Sequence, residues 1–476
     1  MISLDGERLA VAAGAAVVAR GAEGGPARAT IDSREAREGD LFFGLPGERA
    51  DGGAFGREVL GRGAWGILVG SQWARELAAR ERDGAEPGWV LAADDPLAAL
   101  QRLARHWRQA LGCDVIGITG STGKTSVKDI CRAILPVRTH ASPENFNTEV
   151  GLPLAVLGAA DGTEALVLEM GMRGVGQIGE LCRIAEPDVG VITNVGPVHV
   201  ELLGSVEAIA ATKAELLAGL RSGGAAVVPA EPGPLEAHLD GRAEPRPAEG
   251  TRVLRFGSGG DVSAREILAE AGETDVVVRT PVGEQAFRLP FVEAHNLDNA
   301  LAAIAVGVAL DMPLDGMAER APGIVFSRLR GELVELPGNA ILINDCYNAN
   351  PVSMRAALDH LATLRTARRR VAVLGEMREL GDGEAAYHRE IGAPARRRGV
   401  ELLIGVGALG REYDPDQHVD DAEAAADALA GALRPGDAVL VKGSRAVGLD
   451  VIAERLVDSK PTPTEPPPQA KPRRRR

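Results

Sequence analysis

The sequence predicts an α/β chain of three domains, the central one a phosphate-loop domain built on a parallel sheet. Three observations carry this. From Asp114 onward, apolar strands, turns and amphipathic helices alternate, the pattern of a parallel sheet with right-handed crossovers. A Gly-rich turn ending in Gly-Lys-Thr stands between the first of those strands and the first helix. The alternation resumes near Phe326 and continues to about residue 457. A length of 476 residues accommodates three domains at roughly 100–200 residues each.

Residues 1–105 form the first expected domain, with short β-type runs at Asp40-Leu-Phe-Phe-Gly44 and Trp65-Gly-Ile-Leu-Val69 set among Gly-rich turns. Pro96 to Leu111 reads as a helix leading into the second, residues 106–325. There Val115–Thr119 is a buried-type strand, and Val127, Ile130, Cys131 and Ile134 recur at one face of a helix. Ala165–Glu169 and Val189–Asn194 continue the strands, Ala230 to Gly250 reads as a surface excursion, and an Ala-rich helix begins near Asn296. The third domain, 326–457, carries strands at 340–344, 371–375, 402–406 and 438–442. The Pro-rich, Arg-terminated stretch 458–476 has too little apolar surface to fold and is expected to be disordered.

Composition excludes several classes. With 45% hydrophobic and 25% charged residues the chain is an ordinary globular one, and at 3% aromatics its cores must be aliphatic. The net charge is −14; the last 18 residues hold six basic and one acidic side chain, so the rest carries −19. Such a surface is unsuited to nucleic acid, which needs basic residues for its phosphates. Cys113, Cys131, Cys182 and Cys346 are widely spaced, with neither a disulfide framework nor a zinc pattern. No basic-then-apolar leader and no membrane-length apolar run occurs. A cytoplasmic protein without membrane insertion, acting as a monomer, is expected.

The strongest local signal is Gly120-Ser-Thr-Gly-Lys-Thr-Ser126. Backbone N–H groups of such a turn, with the helix N-terminus behind them, hold phosphates; Lys124 is placed to reach the β/γ-phosphates and Thr125 to meet magnesium. Only two residues separate Gly120 from Gly123 instead of four, and Ile118 stands where the longer pattern has glycine. Glu169 closes a strand at the sheet's carboxyl edge, where ligands bind in open α/β folds, and suits a second metal anchor. A satisfied strand-end glutamate would look the same. His199 follows the next strand, and Lys213 lies in a helical segment whose plain reading is a solvated lysine.

Taken together, Thr119-Gly-Ser-Thr-Gly-Lys-Thr-Ser126, Asn145-Phe-Asn-Thr148, Glu169-Met-Gly171, Asn194-Val-Gly-Pro-Val-His199, Lys213-Ala-Glu215 and His295-Asn-Leu-Asp-Asn299 resemble the signatures of the Mur ligase family. The resemblance spans nearly all of residues 1–457. In the third domain Asp345-Cys-Tyr-Asn-Ala-Asn-Pro351 is similar to the branch that adds a dipeptide, whereas the branch adding the third peptide residue typically carries Y-A-H-T-P and D-N-P-R, absent here. Asp32-Ser-Arg34, Gly39–Phe43 and Gly47–Gly52 look like the family's uridine-nucleotide domain, and Leu374–Gly381 and Lys442–Arg445 also match. Two departures stand out: Gly53-Ala-Phe55 replaces the usual His-Asp-Phe, and Gly-Arg-x-Glu reads Leu329-Arg-Gly-Glu332.

The resemblance implies an N-terminal UDP-binding domain, a central ATPase domain and a C-terminal Rossmann-like domain. It implies ATP-dependent joining of UDP-N-acetylmuramoyl-tripeptide to D-alanyl-D-alanine through an acyl phosphate, with ATP and Mg2+ as cofactors. By the same likeness Gly120, Ser121, Thr122, Gly123, Lys124, Thr125 and Ser126 hold ATP with His295, Asn296, Asn299, Arg330 and Asp345. Arg328 is an alternative alignment for Arg330, and His295 or Asn299 could instead cap the Ala-rich helix. Thr125, Glu169, His199 and a carbamylated Lys213 would bind metal; Lys124, Glu169, His199 and Lys213 form the catalytic set. Ser33, Arg34, Gly47, Glu48 and Arg49 would meet the uridine nucleotide, Asn147 and Thr148 the muramoyl substrate, and Tyr347, Asn348 and Asn350 the dipeptide. Asn-Ala-Asn-Pro is equally a good turn. Substrate contacts in separate domains imply closure of the third onto the ATP site.

Overall fold

The computed structural model describes residues 4–80, 88–143, 145–198, 200–270, 272–364 and 367–458. The expected tail from Ser459 onward lies outside the described residues, as does His199. The chain divides into two compact units at Ser327 and Arg328.

The first unit holds two large sheets. One has the strand order Ala16–Ala19, Trp89–Ala93, Gly66–Gly70, Asp40–Gly44, Arg28–Thr30. Only its first pairing is antiparallel. The other runs Arg252–Phe256, Ala225–Pro229, Val189–Ile192, Asp114–Thr119, Ala165–Glu169, Thr139–Ala141, parallel throughout. Such strands are covered on both faces and so read as continuous apolar runs, as Ala165–Glu169 does with every residue buried.

Helix Pro96–Leu111 is set by local chemistry. Asp95 accepts from Ala98 N at its N-cap, Pro96 opens the first turn, and Gly112 takes the left-handed conformation at φ +59° that ends it. The helix runs unbroken through residues 105 and 106, burying Leu100, Leu103 and Trp107 in an apolar cluster that also contains Leu41, Leu91, Val115 and Leu166. Helix Lys124–Ile134 buries Val127, Ile130, Cys131 and Ile134, the face the periodicity predicted. Each of its large aliphatic side chains contributes about 2 kcal/mol by leaving water. It packs against helix Ala294–Ala309, whose buried Ala300, Ala302, Ala303 and Ala305 permit close approach without aromatic filler.

Two features of this unit differ from expectation. The stretch 230–250 is not merely a surface excursion: helix Glu236–Leu239 lies in it, and Leu235 and His238 are buried. An unanticipated antiparallel meander, Ser263–Glu270, Glu273–Thr280 and Gly283–Leu289, comes next in the chain. Its middle strand buries Thr274, Val276, Val278 and Thr280 and exposes Glu273 and Asp275, the alternation of a sheet wet on one side.

The second unit is a six-stranded sheet in the order Glu332–Leu336, Ala340–Asn344, Asp437–Lys442, Arg369–Leu374, Val400–Val406, Gln417–Val419. The first pair is an antiparallel hairpin and all others are parallel. Helix Pro351–Thr363 starts at Asn350, whose side chain accepts from Ser353 N while Ser353 Oγ accepts from Asn350 N.

Candidate active site

The phosphate loop emerges from strand Asp114–Thr119 and turns into helix Lys124–Ile134. Gly123 precedes the helix at φ +81°, and a β-carbon there would lie 2.5 Å from Asn299 Oδ1. Gly120, at φ +153°, would place one 1.8 Å from Thr193 Oγ1. Both positions therefore require glycine, for conformation and for space. The loop is clamped by the end of the neighbouring strand. Thr122 N donates to Asn194 Oδ1 at 2.9 Å, and Asn194 Nδ2 donates to Thr122 Oγ1 at 2.6 Å. Ser121 Oγ donates to Gly196 O at 3.0 Å and accepts from Gly196 N at 2.9 Å. In the sequence Thr193 was visible only as part of a strand end and Asn194 only as the first residue of a family-like motif; their role as loop clamps emerges from the pairing of Thr119 with Ile192.

Lys124 Nζ donates to Gly120 O at 2.8 Å, folding its ammonium back over the loop. Thr125, 5% exposed, donates to Glu169 Oε2 at 2.9 Å. Glu169, 2% exposed, accepts from Asn147 Nδ2 on its other oxygen, also at 2.9 Å. Ser142 Oγ receives Glu169 N at 3.2 Å, and Asn147 O receives Gly171 N at 2.8 Å. A buried carboxylate between the phosphate-loop threonine and an asparagine is a hard oxygen site at the edge of a phosphate loop. That donor chemistry fits magnesium, which takes one or two carboxylates and fills its shell with phosphate oxygens and water. Thr148 Oγ1 accepts from Gly151 N at 3.2 Å and so tethers the start of helix Gly151–Leu157.

Lys213 stands within helix Val206–Ala218 and is 1% exposed. Burial pushes its ammonium well below the usual lysine range, and repulsion from Lys124 pushes the same way. No opposite charge offsets this among the described residues. The side chain is thus a buried amine whose charged form is disfavoured, not the solvated lysine a helical segment first suggests.

Asn296 and Asn299 are buried in the first turns of helix Ala294–Ala309, joined by Asn299 Nδ2 donating to Asn296 Oδ1 at 3.2 Å, and His295 is exposed beside them. The helix begins earlier than expected, with Glu293 at its N-cap. His295 and Asn299 therefore do not occupy the cap; Asn299 instead faces Gly123.

At the other sheet of this unit, strands Arg28–Thr30 and Asp40–Gly44 are adjacent and parallel, so the loops that leave their carboxyl ends lie at the same edge. Ser33 and Arg34 stand in the first of these loops. Gly47, Glu48 and Arg49 form an exposed hairpin in the second, closed by Gly47 N to Ala50 O at 3.1 Å. Arg34 pairs with Asp32, whose carboxyl it lowers to about 2. Ser33 O accepts from Arg62 Nη1 at 2.6 Å.

In the second unit Lys442 is 2% exposed and donates to Asp345 Oδ2 at 2.7 Å and to Asn348 O at 2.9 Å. The pairing of Asn344 with Val441 brings these together. Lys442 was present in the sequence only as part of Lys-Gly-Ser-Arg; the structure makes it the anchor of the Asp345–Asn350 turn. Arg330, and not Arg328, lies over the Tyr347 ring, 3.9 Å from its centre. The Asn350 side chain is engaged in capping helix Pro351–Thr363, and Asn348 Oδ1 accepts from Ala349 N at 2.8 Å.

Comparison with known proteins agrees with this geometry. Residues 118–307 match the Mur ligase middle domain, and residues 329–445 match the Mur ligase glutamate ligase domain. The UDP-N-acetylmuramoyl-tripeptide–D-alanyl-D-alanine ligase of Bacillus subtilis is 34% identical, with 90% of this chain and 92% of that protein covered. The enzyme of the same name from Escherichia coli is 30% identical over 90% and 93%. Among solved structures, MurF from Acinetobacter baumannii superposes with a TM-score of 0.82 at 26% identity, covering 96% of this chain and all of that one. MurF from Thermotoga maritima in complex with ADP gives 0.76 at 29%, covering 90% and 97%. Two matching domains and full-length relatives, on a site whose phosphate loop, buried carboxylate and buried lysine are assembled as described, establish that the chain belongs to the Mur ligase family.

Proposed function

We propose that the chain is the ATP-dependent ligase that joins UDP-N-acetylmuramoyl-tripeptide to D-alanyl-D-alanine, giving the UDP-linked pentapeptide, ADP and phosphate for peptidoglycan synthesis. The observation that carries the reading is the Thr125–Glu169–Asn147 chain, which links the phosphate loop to Asn147, the side chain this reading gives to the acyl substrate. It is supported by full-length relatives of that name.

An amide cannot form from a free carboxylate and an amine in water without activation. In this reading the tripeptide's terminal carboxylate attacks the γ-phosphorus of ATP. The bond to the β-bridging oxygen breaks, releasing ADP and leaving an acyl phosphate. The neutral amine of the dipeptide then attacks the acyl carbon, phosphate departs, and the amine loses its proton. Such transfers depend on positioning and charge stabilisation. The loop amides and Lys124 bind the β/γ-phosphates. Asn147 and Thr148 orient the muramoyl substrate, Asn296, Asn299 and His295 border the adenosine, and Arg330 and Asp345 complete the nucleotide set. Magnesium, when bound, neutralises charge on the phosphates; Thr125 and Glu169 would hold one ion, and His199 with a modified Lys213 a second. The buried Lys213, whose charged form is disfavoured, fits carbamylation: in its neutral form the lone pair attacks CO2, an N–C bond forms, and a proton is released, leaving a carboxylate-like group.

Residues 1–105 serve the uridine nucleotide through Ser33, Arg34 and Gly47–Arg49, residues 106–325 serve ATP, and residues 326–457 serve the dipeptide through Tyr347, Asn348 and Asn350. The cytoplasm is the compartment this assigns. No helix among the described residues is long and apolar enough to cross a membrane, and all four cysteines are free and buried.

The deciding assay monitors phosphate release from MgATP with UDP-muramoyl-tripeptide, with and without D-alanyl-D-alanine, and weighs the product. Release that needs both substrates, with a mass gain of one dipeptide less water, is expected. Release indifferent to the dipeptide would overturn the reading.

A further inference from the structure

Four tryptophans occur in the chain, and three of them use their indole N–H groups internally. Trp65 Nε1 donates to Gly24 O at 3.2 Å, Trp89 Nε1 to Ala22 O at 2.8 Å and Trp107 Nε1 to Ala159 O at 3.1 Å. Trp73 differs: it is half-buried, and its N–H donates to no group among the described residues. Its side chain packs against the small apolar cluster around Phe42, Ile67 and Val69. The five-membered ring covers Gly53, where an added β-carbon would lie 2.3 Å from Trp73 Cδ1 and 2.9 Å from Nε1. Glycine at 53, the position of the departure from His-Asp-Phe, thus makes room for this indole.

The location is specific. Trp73 stands in the first turn of helix Ser71–Arg80, directly after strand Gly66–Gly70. That strand is the parallel neighbour of Asp40–Gly44, and Gly53 N lies against the end of the latter, 2.7 Å from where a β-carbon on Gly44 would sit. The indole therefore shares the carboxyl edge that carries Ser33, Arg34 and the Gly47–Arg49 hairpin. A packed ring with an unused donor at a nucleotide edge matches a flat heterocycle bearing carbonyl acceptors.

We propose that Trp73 is a positioning residue for the uracil base of the UDP-linked substrate, its ring giving the base a wall and its N–H a donor to a base carbonyl. This rests on the reading of those loops as the uridine-nucleotide end. The test titrates UDP into the full chain while recording tryptophan fluorescence, with Trp73→Phe and Trp73→Ala alongside, and measures steady-state constants for all three substrates.

UDP is expected to change the fluorescence of the native chain and to leave that of Trp73→Phe unchanged. The KM for UDP-muramoyl-tripeptide should rise about tenfold or more in Trp73→Ala, the range of a lost base-stacking contact, and less in Trp73→Phe. The KM values for ATP and dipeptide, and kcat, should hold within about twofold. UDP binding by calorimetry with unaltered constants in both variants would overturn the role of Trp73 and leave the loop assignment standing. Absence of any UDP binding to the native chain would overturn both. A fall in thermal midpoint with all three KM values shifted together would mark Trp73 as structural only and also overturn the proposal.

Discussion

The Thr125 hydroxyl donates to Glu169 Oε2 at 2.9 Å, and this bond joins residues 44 positions apart, the first turn of helix Lys124–Ile134 to the end of strand Ala165–Glu169. Both residues are buried. Both carboxylate oxygens of Glu169 are engaged, one by Thr125 and one by Asn147, so removing a member leaves others unsatisfied.

Replacing Glu169 with Ala is expected to lower kcat by about 10²–10³-fold, the usual loss when one preorganised electrostatic group is removed. Asn147 Nδ2 and Thr125 Oγ1 lose their shared acceptor, so stability should fall by about 1–3 kcal/mol. Glu169→Gln should recover stability better than turnover. Urea unfolding beside single-turnover kinetics checks the split, and equal recovery of both would show that the charge is not used.

Lys213 offers a pH test. Its folded-state pKa lies below 10.5, so between the two values the unfolded chain binds more protons than the folded one. Stability of the native chain should therefore climb with pH in that window, and Lys213→Met should flatten the climb. In CO2-free buffer the variant is expected to be the more stable protein at about pH 7, with the gap narrowing toward about pH 10 and turnover lost. Denaturation series at several pH values measure this; a native chain with no such slope would contradict a lowered pKa at Lys213.

Carbamylation of the same lysine is checked separately. Turnover in CO2-depleted buffer should rise on adding bicarbonate, and a ¹³C-bicarbonate sample should show a carbamate carbonyl signal that Lys213→Met lacks. A signal of equal size in the variant would place the carbamate elsewhere.

Gly123→Ala meets two obstacles, a φ of +81° and the Asn299 amide 2.5 Å away. Strain of about 1–3 kcal/mol and a raised KM for ATP are expected. Gly112→Ala is the control, since its φ is +59° but no atom lies within 4 Å of the new carbon. It should show only the smaller conformational cost and no change in KM. Thermal scans with ATP saturation curves on both variants separate steric from conformational effects.

Lys442→Met breaks a buried contact to Asp345 and removes the donor to Asn348 O. A loss of about 3 kcal/mol is expected in the second unit, because the turn is left with an unpaired carboxylate and carbonyl. Proteolysis at Asp345–Asn350 should accelerate with it, and a native-like cleavage rate would show that the lysine does not anchor the turn.

Much of the protein was written in local sequence. Helix Pro96–Leu111 has its cap, its opening proline and its closing glycine in order; helix Lys124–Ile134 declares its buried face by spacing; and strands such as Ala165–Glu169 are apolar nearly from end to end. The phosphate loop was equally legible, since a short glycine-bounded turn and a lysine–threonine pair owe their chemistry to near neighbours. The antiparallel meander from Ser263 to Leu289 was not, because alternation with exposed charged positions is weak beside the long apolar strands around it.

What the sequence could not determine were the states of side chains whose partners arrive through strand order. Lys213 reads as a solvated helix lysine until burial beside Lys124 disfavours its charge. Asn194 becomes a clamp, Lys442 an anchor and Trp73 a donor unengaged among the described residues only when adjacent parallel strands bring distant turns to one edge. Local chemistry selects each element, whereas solvation and pairing depend on which elements meet, and tertiary packing alone decides that.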